Sequence, residues 1–245
     1  MQTEKLNALL ANLDDAFAQV PRPRSIDGCP CCVDEREIAP LLHTPREHLT
    51  AAQLSSYAHN ATLTCGSEHD FRYFLPRILR LSLAAEHPMP CIEITFSHVG
   101  NLPWRTWPEA DALLEFFDAL WTDLLTNHPP ILPADDLLCS LALAEGSITQ
   151  RLSSWSQLPT PAAIQNLADF VGADDSNPVN CGIKLKSGRL IPTNAFWNKD
   201  SKPHLELTTW LNDGPATKAT TLAFTRTNAP ALLELLTAID TRLHP

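Results

Sequence analysis

Cysteines cluster at one point of the sequence. Three of the seven lie within residues 28–32, which read Gly-Cys-Pro-Cys-Cys. Cysteine at this density is typical of a metal site, a disulfide or thiol redox chemistry. A further thiol, Cys65, precedes His69 by four residues. These side chains are the first candidates for chemistry in the chain.

Zinc is the metal that such a set of side chains would hold. Cys29 and Cys32 are separated by two residues, a spacing that lets one loop place two thiolates on one ion. Cys65 and His69 would supply the other two ligands, from a loop and from the first turn of the helix after it. Cys31 could replace either of its neighbours. The zinc hypothesis therefore has the ligands Cys29, Cys32, Cys65 and His69.

Two other interpretations of the thiols stay open. Cys32 lies just before a predicted helix, whose dipole would favour a reactive thiolate. Against this, no strand precedes the motif as in thioredoxin-like proteins, and the carboxylates at 34, 35 and 37 disfavour a thiolate. Alternatively, cysteines pack as small hydrophobic residues. We expect this of Cys91, Cys139 and Cys181, which lie among apolar neighbours or alone.

Motifs of several common enzyme classes are missing from the sequence. The eight glycines are never spaced Gly-x-Gly, and none precedes a Lys-Ser or Lys-Thr pair as in a phosphate-binding loop. His43, Glu47 and His48 do not have the spacing of a zinc-protease helix. Nothing in the sequence demands an enzyme, and we favour a non-enzymatic function.

The composition is that of an acidic globular protein. Of the 245 residues 44% are apolar and 19% charged, and the net charge is -10. A deficit of lysine and arginine argues against nucleic-acid binding. No run approaches the ~18 apolar residues that span a bilayer, so we expect no membrane association. The amphipathic, charged N-terminal stretch does not resemble a signal peptide, and seven cysteines fit a reducing compartment, which predicts a cytoplasmic protein.

Helices dominate the predicted secondary structure. The 21 prolines predict short elements with sharp ends. Capping boxes at Asp34, Thr50 and Ser67 begin three of the helices, and the third contains Pro76, where we expect a kink or a break. Further helices are predicted to begin near residues 3, 106, 133, 148, 160 and 228.

Strands are few in the predicted structure. Residues 182–192 predict a hairpin that turns at 186–188. Short strands are also predicted at 91–96, with a buried connector as the alternative, and at 220–225. The fold class is therefore mainly α, an irregular multi-helix array that is HEAT-like by analogy only, with a small β-hairpin in the C-terminal third. We expect a single domain over residues 1–245, with a possible change of subdomain near 172–180.

Residues 29–81 resemble a family of uncharacterised bacterial proteins. The shared features are the Cys-x-x-Cys at 29–32 and the helix sequence Asp-Phe-Arg-x-Phe-Leu-Pro-Arg at 70–77. The resemblance implies a bacterial protein and carries no activity with it.

The same resemblance has implications for Cys65 and for two arginines. It implies tryptophan in the relatives where this chain has Cys65, which would make Cys65 a packing residue. It also implies that Arg72 and Arg77 pair with nearby carboxylates, because a buried guanidinium needs such a partner.

A protein-binding module of unknown specificity is the function that we predict. An acidic surface suits a basic partner, and an immunity-type protein that masks a basic toxin domain is the most specific version. Trp104, Trp107 and Trp197 lie in predicted loops, where aromatic residues either anchor a partner or pack the loop onto the core. The alternative function is a zinc-stabilised or thiol-dependent protein centred on residues 29–32.

Overall fold

A mainly α-helical architecture is found in the computed structural model, which describes residues 2–29, 34–173 and 181–244 and gives the backbone alone for residues 2–6 and 35. The structure is 64% helical, and the described residues form twelve α-helices and one antiparallel hairpin at 183–192. The predicted fold class is confirmed. The helices are α1 Gln2–Ala16, α2 Glu35–His43, α3 Ala51–Asn60, α4 Glu68–Leu83, α5 Ile92–Gly100, α6 Ala110–Thr126, α7 Ala134–Glu145, α8 Thr149–Trp155, α9 Pro161–Val171, α10 Lys202–Asn212, α11 Pro215–Phe224 and α12 Pro230–Leu243, and the strands are β1 Ile183–Lys186 and β2 Arg189–Pro192.

The chain divides into two compact units. The N-terminal unit is Met1–Phe117 and the C-terminal unit is Asp118–Pro245, so the division falls within α6. The single-domain expectation stays a prediction. Most of the suggested subdomain boundary at 172–180 lies outside the described residues, which omit 174–180.

Helix α4 is the central element of the N-terminal unit. It packs against α1, α3 and α5, because apolar side chains recur along it at helical spacing. The fully buried ones are Phe71, Phe74, Leu75, Ile78 and Leu81. Burying one such side chain contributes about 1.5–3 kcal/mol, so this helix supplies much of the unit's stability.

Capping boxes begin α2, α3 and α4 as the sequence predicts. In each, the side chain at the N-cap accepts a hydrogen bond from a backbone amide of the first turn, and the side chain of the third helical residue accepts one from the N-cap amide. The N-caps are Asp34, Thr50 and Ser67. One first-turn amide and the N-cap amide of each helix therefore have side-chain partners, which favours the start of the helix at that residue.

Trp155 is the centre of the core of the C-terminal unit. Its ring stacks on Trp210 with centroids 5.6 Å apart and meets Trp121 edge-on at 5.8 Å. Its indole Nε1 donates to the carbonyl oxygen of Ala163, at 3.0 Å. Because α9 carries Ala163 and packs against α7 and α12, the tryptophan cluster ties α8 and α10 to the rest of this core.

The loop tryptophans are buried and do not form exposed anchors. Trp104, Trp107 and Trp197 have exposed fractions of 1%, 5% and 9%. Trp107 donates from Nε1 to Glu68 at 2.5 Å and meets Phe17 edge-on. These rings pack the loops onto the core, so they supply no docking surface for a partner.

Two strand predictions are wrong. Residues 91–96 and 220–225 are not strands, because they lie mostly in helices α5 and α11. Helix α4 continues through Pro76, so the break is absent and a kink there stays a prediction. Helix α12 begins at Pro230, close to the predicted start near residue 228, with Ala229 as its N-cap. Helix α10 was not predicted.

Candidate functional site

The linker that carries Cys29 pairs with the loop that carries Cys65. Gly28 and Cys65 form an antiparallel bridge, and the amide of Cys29 donates to the carbonyl oxygen of Thr64 at 2.9 Å. A Cβ added at Gly28 would lie 3.4 Å from Sγ of Cys65. The structure therefore brings together two segments that the zinc hypothesis requires to meet.

The described residues hold only part of the predicted ligand set. Cys32 and its alternative Cys31 lie outside them. His69 is exposed in the first turn of α4, whereas Cys65 is buried. Within the ranges 2–29, 34–173 and 181–244, no three His, Cys, Asp or Glu side chains come together in a way that could hold a metal ion. The zinc site stays a prediction.

A buried tyrosine lies beneath the same loop. Burial raises the pKa of Tyr57 well above its ordinary value, and the charges of Asp70 and Cys65 add to the effect. Its hydroxyl has no hydrogen-bond partner in the described structure. Gly66 has φ +72°, and a Cβ there would lie 2.8 Å from the tyrosine ring. Only glycine fits at this turn, because any side chain would meet both backbone strain and the ring.

His69 lines a cavity of about 510 Å³ at the start of α4. The other walls come from the linker at 21–27 and from Ser67 and Asp70. Asp70 uses Oδ2 to accept from the amide of Ser67 at 2.8 Å, as part of the capping box. The sequence predicted His69 as a zinc ligand, and the structure assigns it to the wall of this cavity.

An apolar groove lies in the C-terminal unit. It has a volume of about 790 Å³ and runs between α8 and α10, which pack against each other. Leu152 and Trp210 are buried and form its floor, while Leu205 is 50% exposed at its side. The indole Nε1 of Trp210 donates to Oγ of Ser156 at 2.7 Å, which fixes the ring.

Polar side chains tie the two walls of the groove together. Glu206 on α10 accepts from the hydroxyl of Ser147 and from the amide of Ile148, both at 2.7 Å, just before α8 begins. Burial alone would raise the pKa of Glu206, but these hydrogen bonds outweigh it and the pKa is lowered. The ionised carboxylate therefore links α10 to the start of α8.

The groove was missed because α10 was missed. The signal was present: Pro203, Leu207, Trp210 and Leu211 are the buried residues of α10 and follow the helical spacing i, i+4, i+7, i+8.

The arginines of α4 have different partners from one another. Arg72 donates from Nη2 to both carboxylate oxygens of Glu109, at 3.0 and 2.8 Å, as expected. Arg77 instead donates from Nε to the carbonyl oxygen of Leu49 at 2.8 Å, and no ion pair joins it to a carboxylate among the described side chains. The expectation of a carboxylate partner is wrong for Arg77.

Comparison with known proteins adds no relative from which a function could be transferred. No protein-family model, curated protein or solved structure matches the chain. None of the described helices is both long and apolar enough to cross a membrane. The function must be argued from the surfaces of the chain itself.

Proposed function

We propose that this chain is a protein-binding module that holds a cationic amphipathic helix of a basic partner protein in the apolar groove. The observation that carries the proposal is Leu205, which is 50% exposed beside a preformed apolar floor of Leu152 and Trp210. Two helices that lie side by side leave a groove into which the apolar face of a third can pack. A partner helix would cover the exposed leucine.

Charge supports a basic occupant. Lys202, the one cation among the lining residues, pairs with Glu206 at 3.7 Å, so Asp200 leaves the lining with one excess negative charge, and the whole chain carries a net charge of -10. An immunity-type protein that masks a basic toxin domain is the most specific form of this function.

The lining also favours binding over catalysis. None of the residues that line the groove is a histidine or a cysteine, the side chains that most often act as acid–base catalyst or activated nucleophile. Ser156 is engaged, because its Oγ accepts from Trp210 and donates to the carbonyl oxygen of Leu152.

The test uses a labelled peptide of roughly 18 residues that forms an amphipathic helix, with leucines on one face and lysines on the opposite face. We expect saturable binding by fluorescence anisotropy, with Kd in the micromolar range, about 10⁻⁶ M. Leu205→Asp should weaken binding at least about tenfold, because it puts a charge against the apolar face of the peptide.

The matched control is Leu185→Asp. Leu185 is 51% exposed on β1 of the same unit and does not line the groove, so the change adds the same charge elsewhere. Equal binding by both variants, or equal binding of a scrambled peptide of the same composition, would refute the groove as the site.

Zinc stabilisation of the N-terminal unit is the second candidate function. It is favoured by the pairing of Gly28 with Cys65, which brings the two cysteine-bearing segments together. The chemistry of the donor set, thiolates and an imidazole, suits zinc.

Metal analysis of protein purified without a histidine tag tests this candidate. We expect about one zinc per chain, lost in Cys29→Ser together with a fall in Tm, because metal binding contributes folding free energy. Cys91→Ser is the control for metal content, since Cys91 lies outside the predicted ligand set and, contrary to the expectation that it packs as an apolar residue, is exposed. Metal-free protein with unchanged stability would exclude structural zinc.

A further inference from the structure

Three arginines surround one cavity in the N-terminal unit. The cavity, which we call the arginine cleft, has a volume of about 360 Å³ and is lined by Asp14, Arg46, Glu47, Arg77 and Arg80. Its walls come from the end of α1, the short 3-10 helix Arg46–His48 and one face of α4. Arg77 and Arg80 are three residues apart on α4, so they project from the same side of that helix.

Arg46 is fixed by neutral acceptors. Its Nη1 donates to the carbonyl oxygens of Phe17 and Tyr73, at 2.8 and 3.2 Å, and its Nη2 donates to that of Asp14 at 3.3 Å. The guanidinium also lies 5.4 Å from the centre of the Tyr73 ring. These contacts hold the group rigidly, but none of them supplies a negative charge to neutralise it.

Arg77 leaves its donors open toward the cleft. Only its Nε has a partner among the described side chains and backbone, the carbonyl oxygen of Leu49. Burial lowers the pKa of Arg77, and the charge of Glu86 opposes this. A half-buried guanidinium without an acceptor for its terminal nitrogens is costly unless a ligand or water supplies one.

The carboxylate of Asp14 is already engaged. Its Oδ2 forms an ion pair with Nη2 of Arg80 at 2.5 Å, while Nη1 of Arg80 donates to Asn7. Glu47 is exposed, and its charge acts on Arg77 without forming an ion pair with it among the described side chains. The cleft thus contains three guanidinium groups and two carboxylates, and the carboxylate of Asp14 already pairs with Arg80.

We propose that the arginine cleft binds the phosphate group of a small molecule. Arg46 and Arg77 carry two positive charges that no carboxylate pairs with in the described residues, and a phosphate dianion matches that charge. Guanidinium groups bind phosphate oxygens through paired, charge-assisted hydrogen bonds. The volume is at the lower end of the range for small-molecule sites, so a phosphate fits with a small group attached. The cleft lies in the N-terminal unit, so this inference does not depend on the apolar groove.

Titration with inorganic phosphate, followed by NMR of the arginine Nε signals, tests the proposal directly. We expect a saturable shift of the Arg77 signal that sodium chloride at equal ionic strength does not reproduce. Arg77→Gln should weaken phosphate binding about tenfold or more. Arg36→Gln, at an exposed arginine of α2 in the same unit, should leave binding unchanged.

A second variant is needed in case Arg77→Gln fails to fold. Glu47→Gln removes an exposed carboxylate from the cleft, so it should fold normally and tighten phosphate binding severalfold. No shift with phosphate, an equal shift with chloride, or an unchanged affinity in Glu47→Gln would overturn the proposal.

Discussion

A buried histidine couples the stability of the N-terminal unit to pH. His98 on α5 is 2% exposed, and its ring meets Phe71 edge-on at 5.8 Å. Its Nε2 lies 3.2 Å from the carbonyl oxygen of Ala58, so Nε2 carries the proton of the neutral ring. Burial lowers the pKa of His98, although the carbonyl groups of Ala58 and His59 oppose the shift.

The sign of the pH dependence follows from this shift. Because the pKa of His98 is lower in the folded chain than the ordinary value of about 6.5, the unfolded chain binds the proton more readily. The contribution to stability is complete above about pH 6.5 and is lost as pH falls toward the folded-state pKa. For one titrating group the slope there is at most about 1.4 kcal/mol in the free energy of unfolding per pH unit.

Urea denaturation between about pH 7.5 and about pH 5 measures that slope, above the range in which carboxylates titrate. We expect the slope to disappear in His98→Gln, which keeps a donor for Ala58 but does not titrate. His43→Gln is the control, because His43 is exposed on α2 in the same unit, lies outside the predicted zinc ligands and should leave the slope intact. An unchanged slope in His98→Gln would assign the pH dependence to another group.

At the scale of single elements, local signals predict the ends of helices well. The capping boxes at Asp34, Thr50 and Ser67 were recognised because a cap needs only four consecutive residues. The predicted start near residue 160 is likewise correct, since Thr160 is the N-cap of α9, and Gly172, with φ +66°, is its C-cap. Helix ends that depend on hydrogen bonds between neighbouring residues can therefore be predicted from the sequence.

Helices α5 and α11 were predicted as strands for a physical reason. Both contain β-branched residues in short runs, and such a run cannot be assigned by periodicity alone. In α11 the buried residues are Ala216, Ala219, Thr220 and Ala223, which follow helical spacing. Three of them are alanines, whose low hydrophobicity hides the pattern in the sequence.

The candidate sites depend on contacts that spacing cannot show. The arginine cleft joins residues near 14, 46 and 77–80, which meet only when α4 packs against α1. The apolar groove joins α8 to a helix about 50 residues later. By contrast, the zinc hypothesis requires the Cys29 and Cys65 segments to lie close together, which they do, while the ligand set itself stays a prediction.

At the scale of the whole molecule, excess negative charge should govern how fast a basic partner arrives. The chain has 28 acidic and 18 basic residues. A long-range field of this sign attracts a cation before any contact forms, whereas apolar contacts act only after docking. Association and dissociation are therefore controlled by different parts of the molecule.

Salt separates the two contributions in stopped-flow measurements with the leucine–lysine peptide. Raising ionic strength from about 0.01 M to about 0.15 M shortens the Debye length from about 30 Å to about 8 Å. We expect the association rate to fall about tenfold, while the dissociation rate changes less than about twofold. In Leu205→Asp we expect the dissociation rate to rise, because an apolar contact is lost. The association rate should rise slightly, because a negative charge is added. An association rate insensitive to salt would contradict the role of net charge, even if the groove itself binds the peptide.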